Sequence, residues 1–315
     1  MWKDDILDFD IAHFFNPFFM SYEAKMLIEK ARRSDTKVVV KPVFTFHHGA
    51  SKVKNDSSIL PLLEKSFLFF RKRCQKHEGL SYIDPFYNIS YILKNSDKVF
   101  CTSNEEKKNI IDFLDVPQDL LSIIPNGVDI NFKNGDKEEF LDKIDVEDYI
   151  LFVGRIEPIK NVLSLIKAFV RSELPTKLVI VGFQKDPQYF QMCKDAANED
   201  VIFHPHIPFN STLLSSAYSG AKVFALPSYY ETCGVSGLEA GLAGSNVVVT
   251  EKGGTRDYFD EFAYYVNPHS IDSIKKGLIE AYNSPNDDIF SNYIEKNFSW
   301  QTVYKKYIEA YDSLF

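Results

Sequence analysis

Short apolar runs bounded by turn residues recur along the chain. They alternate with longer stretches in which apolar positions return every three or four residues. Runs of the first kind are what strands covered on both faces produce, and stretches of the second kind are amphipathic helices. In the first part of the chain the runs are Asp10–Phe15, Lys37–Phe46, Asp97–Ser103 and Ser122–Pro125, with helical spacing over Ser21–Arg33 and Asn104–Leu114. In the second part strands are predicted at Tyr149–Val153, Lys177–Val181, Val201–Phe203, Val223–Leu226, Asn246–Thr250 and Ala263–Val266. Helices are predicted over Val162–Arg171, Pro187–Ala197, Asn210–Ser219, Ile271–Tyr282, Ile289–Asn297 and Trp300–Leu314, with Asn161 placed to cap the first of them.

Strands alternating with helices predict parallel sheets. The expected class is α/β, with two Rossmann-like doubly wound domains. Asn131–Glu147 is rich in charge and reads as a linker, which gives domains at 1–143 and 144–296 and a final helix at 297–315 that crosses back to the first domain. A nucleotide-domain sheet usually opens with a strand and a glycine-rich turn. Neither stands before Asp10, so the first domain is expected to be shortened at its start.

Composition narrows the function. The 315 residues carry 36 Lys+Arg against 44 Asp+Glu, a net charge of −8, which argues against a nucleic-acid binder held by phosphate contacts over its surface. Cys74, Cys101, Cys193 and Cys233 are scattered without a Cys-x-x-Cys pair, as expected of reduced thiols and not of a zinc site. No apolar run approaches the roughly 18 residues of a membrane span, and the first ten residues lack the basic start and apolar core of a signal peptide. The expected location is the cytoplasm, or the inner face of a membrane. Phe67–Lys76 sets four apolar residues against four basic ones. It reads either as an amphipathic helix with a solvated basic end or as a contact with an anionic membrane surface.

The candidate chemistry gathers at strand ends. In parallel sheets ligands bind outside the carboxyl ends of the strands. Gly154, Arg155 and Lys160 follow the first strand of the second domain, where two cations would bind a diphosphate, Arg as a fork and Lys as a point charge; the alternative is an ordinary surface pair on a loop. Glu231 lies in the loop after Val223–Leu226, and Glu239 about two turns into a helix rich in small residues that follows it. Either carboxylate could be an exposed helix or dipole charge, and as a pair they could suggest glycoside hydrolysis, but both stand on one wall. The Gly253-Gly254 turn offers backbone donors to phosphate or sugar oxygens. His47 and His48 end a strand of the first domain, where only one of them can point to a ligand from regular strand geometry.

Gly154-Arg155…Pro158-x-Lys160-Asn161, Pro227-Ser228-x-Tyr230-Glu231-x-x-Gly234-x-x-x-Leu238-Glu239-Ala240 and Val247-Val248-Val249-Thr250…Gly253-Gly254 together resemble the donor domain of family 4 retaining glycosyltransferases of the GT-B fold, of the bacterial polysaccharide or O-antigen type. Asp97-Lys98-Val99…Thr102-Ser103 and Ile124-Pro125-Asn126-Gly127-Val128-Asp129 are similar to the same family's approach to its linker. The resemblance implies that Arg155 and Lys160 hold the diphosphate of a nucleotide-sugar such as a UDP- or GDP-sugar. It implies that Glu239 holds the ribose hydroxyls, that Glu231 contacts the donor sugar, and that Gly154, Gly234, Val235, Gly253 and Gly254 line the donor. His47, with His48 as alternative, would stand beside the reacting sugar. No metal or other cofactor is implied. The acceptor would be a saccharide or lipid-linked saccharide in cell-surface polysaccharide synthesis. The competing expectation is a nucleotide-sugar-binding protein without transfer activity. Glu231-Thr232-Cys233-Gly234 departs from the family's Glu-Gly-Phe-Gly, and Asp257 stands where the family has Glu.

Overall fold

A computed structural model describes residues 5–44, 86–144, 146, 148–209 and 211–315. The chain divides into two compact units, residues 1–125 with 307–315 and residues 126–306. The first holds β1 (Ile11–Phe15), β2 (Lys37–Lys41), β3 (Lys98–Cys101) and β4 (Leu121–Ile123), all parallel and in the order β1-β2-β3-β4. Alternation along these strands gives the sheet two different faces. Val38, Val40, Val99 and Cys101 form one core with Ala24, Ile28, Ile92, Leu93, Ile110 and Leu114 of the helices Ser21–Ala31, Tyr87–Lys94 and Asn104–Leu114.

The opposite face is aromatic and polar. His13 stacks on Phe15 with ring centroids 4.0 Å apart, Phe100 meets Tyr307 at 5.6 Å, and the Lys41 ammonium donates to Tyr307 Oη at 2.7 Å. Lys41 is buried, and the Ile124 carbonyl at 3.2 Å also accepts from it, so its charge is solvated by oxygens in place of water. Tyr307 and Tyr311 come from the last helix, Trp300–Asp312, whose final residues belong to this unit.

The second unit holds β5 (Tyr149–Val153), β6 (Lys177–Val181), β7 (Val201–His204), β8 (Val223–Leu226), β9 (Asn246–Thr250) and β10 (Ala263–Val266). They form one parallel sheet in the order β10-β9-β8-β5-β6-β7. From β5 the chain winds outward through β6 and β7. It then returns to lay β8 on the other side of β5 and winds outward again. The strand order therefore reverses between β5 and β8, and in such sheets the crevice at that reversal takes the ligand. Helices Val162–Ser172, Val235–Leu242 and Ile271–Asn283 contribute Leu165, Leu238 and Leu278 to a core around the fully buried strand residues.

Three expectations need correction. The boundary falls at 125/126 and not at 143, and the charged run taken for a linker contains the helix Lys137–Ile144. Phe140 is fully buried in the second core, with Leu141 and Ile144 packed against it, and that apolar anchor outweighs the charge around it. The residues grouped with the first unit at the end of the chain begin at Tyr307, inside the helix Trp300–Asp312. The second strand stops at Lys41 because Pro42 follows, which has no N–H to continue the ladder, and Val43 turns at φ 51°. Tyr87–Lys94 is a further helix, where the sequence reading drew no element.

His13 carries a testable property of the first unit. Its Nδ1 lies 2.6 Å from Tyr311 Oη, its Nε2 is buried without a partner among the described residues, and burial, aided by the Lys41 charge, lowers its pKa from 6.5 to about 4. The unfolded chain therefore binds an extra proton between those values. Stability is expected to be whole above about pH 6.5 and to fall by about 1–2 kcal/mol towards about pH 4, less than the full shift because the ring is partly solvent-screened. Urea unfolding at about pH 7 and about pH 5 measures this. His13→Phe should flatten the difference, and a variant that keeps the full pH slope would assign it elsewhere.

Candidate functional site

The loop leaving β5 is tied to the exit of β6 by its backbone. Gly154 N–H donates to the Val181 carbonyl at 3.1 Å and Ile156 N–H to the Phe183 carbonyl at 2.9 Å. A Cβ on Gly182 would stand 1.8 Å from the Gly154 carbonyl oxygen, so this close approach requires glycine. The loop then makes a turn at Pro158–Lys160 and enters the helix Val162–Ser172 through Asn161 in the left-handed region at φ 57°. Asn161 stands at the predicted N-cap but does not cap with its side chain. Its amide instead donates to the carbonyls of Pro227 at 3.1 Å and Pro268 at 2.8 Å, joining the loops after β5, β8 and β10. A left-handed backbone turns the side chain away from its own helix, which frees it for this role.

Lys160 and Glu231 meet where the strand order reverses. Lys160 Nζ is 2.6 Å from Glu231 Oε1, which also accepts from Ser228 Oγ at 2.5 Å. Glu231 is 7% exposed, and its side chain is held by Ser228 of its own loop and by Lys160 of the loop after β5. Its backbone is pinned as well: Gly254 N–H donates to the Glu231 carbonyl at 2.9 Å, and Glu231 N–H to the Lys252 carbonyl at 3.2 Å. Gly253 adopts φ 97°, and a Cβ there would stand 1.9 Å from the Glu231 oxygen. The double-glycine turn is thus a mould for the Glu231 backbone.

Arg155 does not share that ion pair. Its Nη2 lies 2.8 Å from Glu157 Oε1, and Lys185 Nζ lies 3.0 Å from Glu157 Oε2. Gly234, at φ 76°, occupies the N-cap of the helix Val235–Leu242 with no side-chain cap. The helix therefore begins with backbone donors at Val235 and the residues after it, a favourable place for an anion.

Glu239 is 4% exposed, which removes the reading of it as a solvated helix charge. Tyr218, completely buried, donates to its Oε2 at 2.7 Å. Burial raises the Glu239 pKa from 4.5 to about 7, the Tyr218 hydrogen bond opposes that rise, and the Asp129 charge adds to it. Asp129 belongs to the Asn126–Asp129 motif, and Asn126 reaches the same region, with its N–H on Tyr258 Oη at 2.9 Å and its amide 3.5 Å from Cys233 Sγ. Cys233, the departure from Glu-Gly-Phe-Gly, is buried in the second core.

Arg155, Lys160, Glu231, Glu239, Gly154, Gly234, Val235, Gly253 and Gly254 all lie in the second unit, on loops or helix starts that follow its strands. His47, His48 and Phe67–Lys76 lie outside the described residues. Glu157, Lys185 and Tyr218 were not singled out from sequence, and Ser228 stood in the Pro227-Ser228 motif without a role. The sheet-edge rule that singled out Arg155 would have found Lys185, which follows β6 by four residues. Among the described residues no group of three or more His, Cys, Asp or Glu is arranged to hold a metal ion, and no helix is long and apolar enough to cross a membrane.

Comparison with known proteins agrees with this architecture. The Glycosyltransferase Family 4 profile matches residues 2–132, and the profile named Glycosyl transferases group 1 matches residues 135–297. An uncharacterized glycosyltransferase of Methanocaldococcus jannaschii is 30% identical over 238 residues, covering 69% of this chain and 60% of that protein. The chain thus spans less than two thirds of that relative's length. Sucrose-phosphate synthase from Thermosynechococcus elongatus superposes with a TM-score of 0.71 at 19% identity, covering 98% of this chain and 74% of that one. Anabaena HepE, solved with UDP-glucose, superposes with a TM-score of 0.70 at 15% identity, covering 97% and 79%. Both share the fold of two parallel-sheet Rossmann-like domains. With a group 1 profile spanning more than half of its residues, the chain belongs to the glycosyl transferases group 1 family.

Proposed function

We propose that the protein transfers a sugar from a nucleotide-sugar to a hydroxyl acceptor, with retention at the anomeric carbon and without a metal. The observation that carries this reading is the Lys160–Glu231 pair at the strand-order reversal, flanked by Arg155 and by an uncapped helix start. A diphosphate placed there meets two cations and free backbone donors. Glu239, buried about one turn along the same helix, is suited to accept from the ribose hydroxyls. Glu231 and the Gly253-Gly254 turn would face the donor sugar. That HepE was solved with UDP-glucose supports a UDP-sugar as the first donor to try, with GDP-sugars second.

In this mechanism the acceptor oxygen bonds to the anomeric carbon as the bond from that carbon to the diphosphate oxygen breaks. The departing phosphate takes the acceptor proton, so the products are a glycoside and a free nucleoside diphosphate. No protein nucleophile is required. Arg155 and Lys160 stabilise charge that grows on the leaving group, which lowers the barrier more than it tightens ground-state binding. His47 is proposed to stand beside the reacting sugar. The acceptor is proposed to be a saccharide or lipid-linked saccharide of cell-surface polysaccharide synthesis, presented at the inner face of a membrane with Phe67–Lys76 as the contact.

Arg155→Ala and Lys160→Ala should each lower turnover about 10²–10³-fold. Arg155→Ala should leave the thermal unfolding midpoint nearly unchanged because Lys185 still faces Glu157, whereas Lys160→Ala should lower it because buried Glu231 loses its cation. Release of UDP or GDP with a glycosylated acceptor, followed by mass spectrometry, measures it. Normal turnover in both variants would refute the site, and nucleotide-sugar binding without product in the wild type would favour a pure binding protein.

The raised Glu239 pKa gives a second outcome. Only the carboxylate accepts hydrogen bonds from both ribose hydroxyls, so nucleotide affinity should fall severalfold as pH drops from about 8 to about 6 through the value of about 7. Glu239→Gln should bind more weakly and lose this pH dependence in calorimetric titrations. A variant that retains the wild-type pH profile would show that another group titrates.

A further inference from the structure

Three cations stand at the carboxyl edge of β5 and β6, and they are not equivalent. Lys160 is matched one to one by Glu231. Arg155 and Lys185 instead share a single carboxylate, Glu157, which leaves one positive charge in excess. That excess sits in a unit of otherwise opposite sign, since residues 126–306 contain 18 Lys+Arg against 25 Asp+Glu. Of the cations named at this edge, the Arg155–Lys185 pair therefore draws an anion most strongly.

The geometry of the trio follows from the backbone. Parallel pairing continues past the ends of β5 and β6 through an isolated bridge between Ile156 and Gln184, and the next step of that register sets Glu157 beside Lys185. The absence of a Cβ at Gly182 lets the two exits approach closely enough for the bridge to form. Glu157 then points inward and the cations outward: the carboxylate side chain is 10% exposed, Arg155 58% and Lys185 56%. For the cations such a contact contributes little, because water still reaches them. For the buried carboxylate it is close to obligatory. Among the described residues Glu157 Oε1 has no hydrogen-bond partner, only its ion pair with Arg155. The guanidinium and the ammonium each meet Glu157 as an ion pair through a single nitrogen, so both keep donors for a ligand. Glu157 thus fixes where the two heads stand without occupying them.

We propose that Lys185 is a third diphosphate-binding cation, working as a pair with Arg155, and that Glu157 is the positioning residue that holds the two together. The inference rests on the nucleotide-diphosphate reading of this sheet edge and adds to it a residue and a geometry. It concerns binding of the diphosphate and requires no change in the order of bond making and breaking.

Calorimetric titration of the full chain with UDP and GDP, against uridine and guanosine as phosphate-free controls, tests it. Lys185→Ala should weaken binding of the diphosphate that the wild type prefers by about 5- to 20-fold, the range expected for one partly screened charge-assisted hydrogen bond, with nucleoside binding unchanged. Lys185→Arg should restore most of the loss. In a Glu157→Gln background the effect of Lys185→Ala should shrink, since the head is no longer held in place. Wild-type affinity for the diphosphates in Lys185→Ala overturns this inference and leaves the Arg155 and Lys160 assignment standing. Equal loss for nucleoside and diphosphate overturns it as well, because it would mark a disturbed loop. A wild type that binds neither UDP nor GDP overturns the diphosphate reading and this inference together.

Discussion

A carboxylate removed from water is costly by several kcal/mol unless a cation or hydroxyl stands against it. The carboxyl edge of the second sheet keeps three of them nearly dry: Glu157, Glu231 and Glu239. Each has a partner from a distant part of the sequence: Lys185 for the first, Lys160 for the second and Tyr218 for the third. These pairings close only if β5, β6 and β8 and the helix after β8 hold their places, so the site and the sheet define one another. The backbone supports the same arrangement. Gly182 and Gly253 each allow a carbonyl oxygen closer than any side chain would permit, one at the β5–β6 exit and one under Glu231. The order reversal between β5 and β8 brings the two loops side by side, and Asn161 fastens both to the loop after β10.

What was legible in the sequence is what depends on neighbours along the chain. Buried strands such as Tyr149–Val153 and Asn246–Thr250 are recognisable because five apolar or small positions between turn residues leave few alternatives. Gly154, Arg155 and Lys160 stand out for a similar reason, since the strand end and its cations are contiguous. Glu157 stood between them unread because its partner Lys185 lies 28 positions on, and only the register of β5 against β6 joins them. Tyr218 looked like a helix residue and turned out to be the hydrogen-bond donor to Glu239 across 21 positions. The misplaced boundary has a different origin. In Lys137–Ile144 charge dominates the local pattern, and Phe140 with Leu141 and Ile144 behind it decides where the segment belongs.

The two units solve the covering of a sheet in different ways. In the second, strands wind outward on both sides of β5, and the core surrounds the sheet. In the first, successive strands are neighbours, and helix residues gather on one face with Val38, Val40 and Val99. The other face is finished by Tyr307 and Tyr311, which bring hydroxyls as well as rings. The hydroxyls matter because this face contains Lys41 and His13, one charged and one kept neutral by burial. An aliphatic residue at position 307 would remove the hydroxyl that accepts from the Lys41 ammonium, so the last residues of the chain carry a polar role inside the first unit.

The Lys160–Glu231 pair also bears on how binding energy could reach the reaction. Lys160 is about one fifth exposed and its carboxylate partner about one tenth, so their attraction is screened less than at an open surface. A diphosphate entering beside them has to compete with Glu231 for the ammonium, and a ground-state phosphate of modest charge gains little by doing so. In the proposed transfer, negative charge would accumulate on the departing oxygen as its bond to the anomeric carbon breaks. The ammonium would then gain more from that oxygen than from Glu231, whose other hydrogen bond, from Ser228, would keep it solvated when the lysine turns away. An internal counter-ion of this kind weakens binding of the substrate more than binding of the transition state, which is the difference that accelerates a reaction.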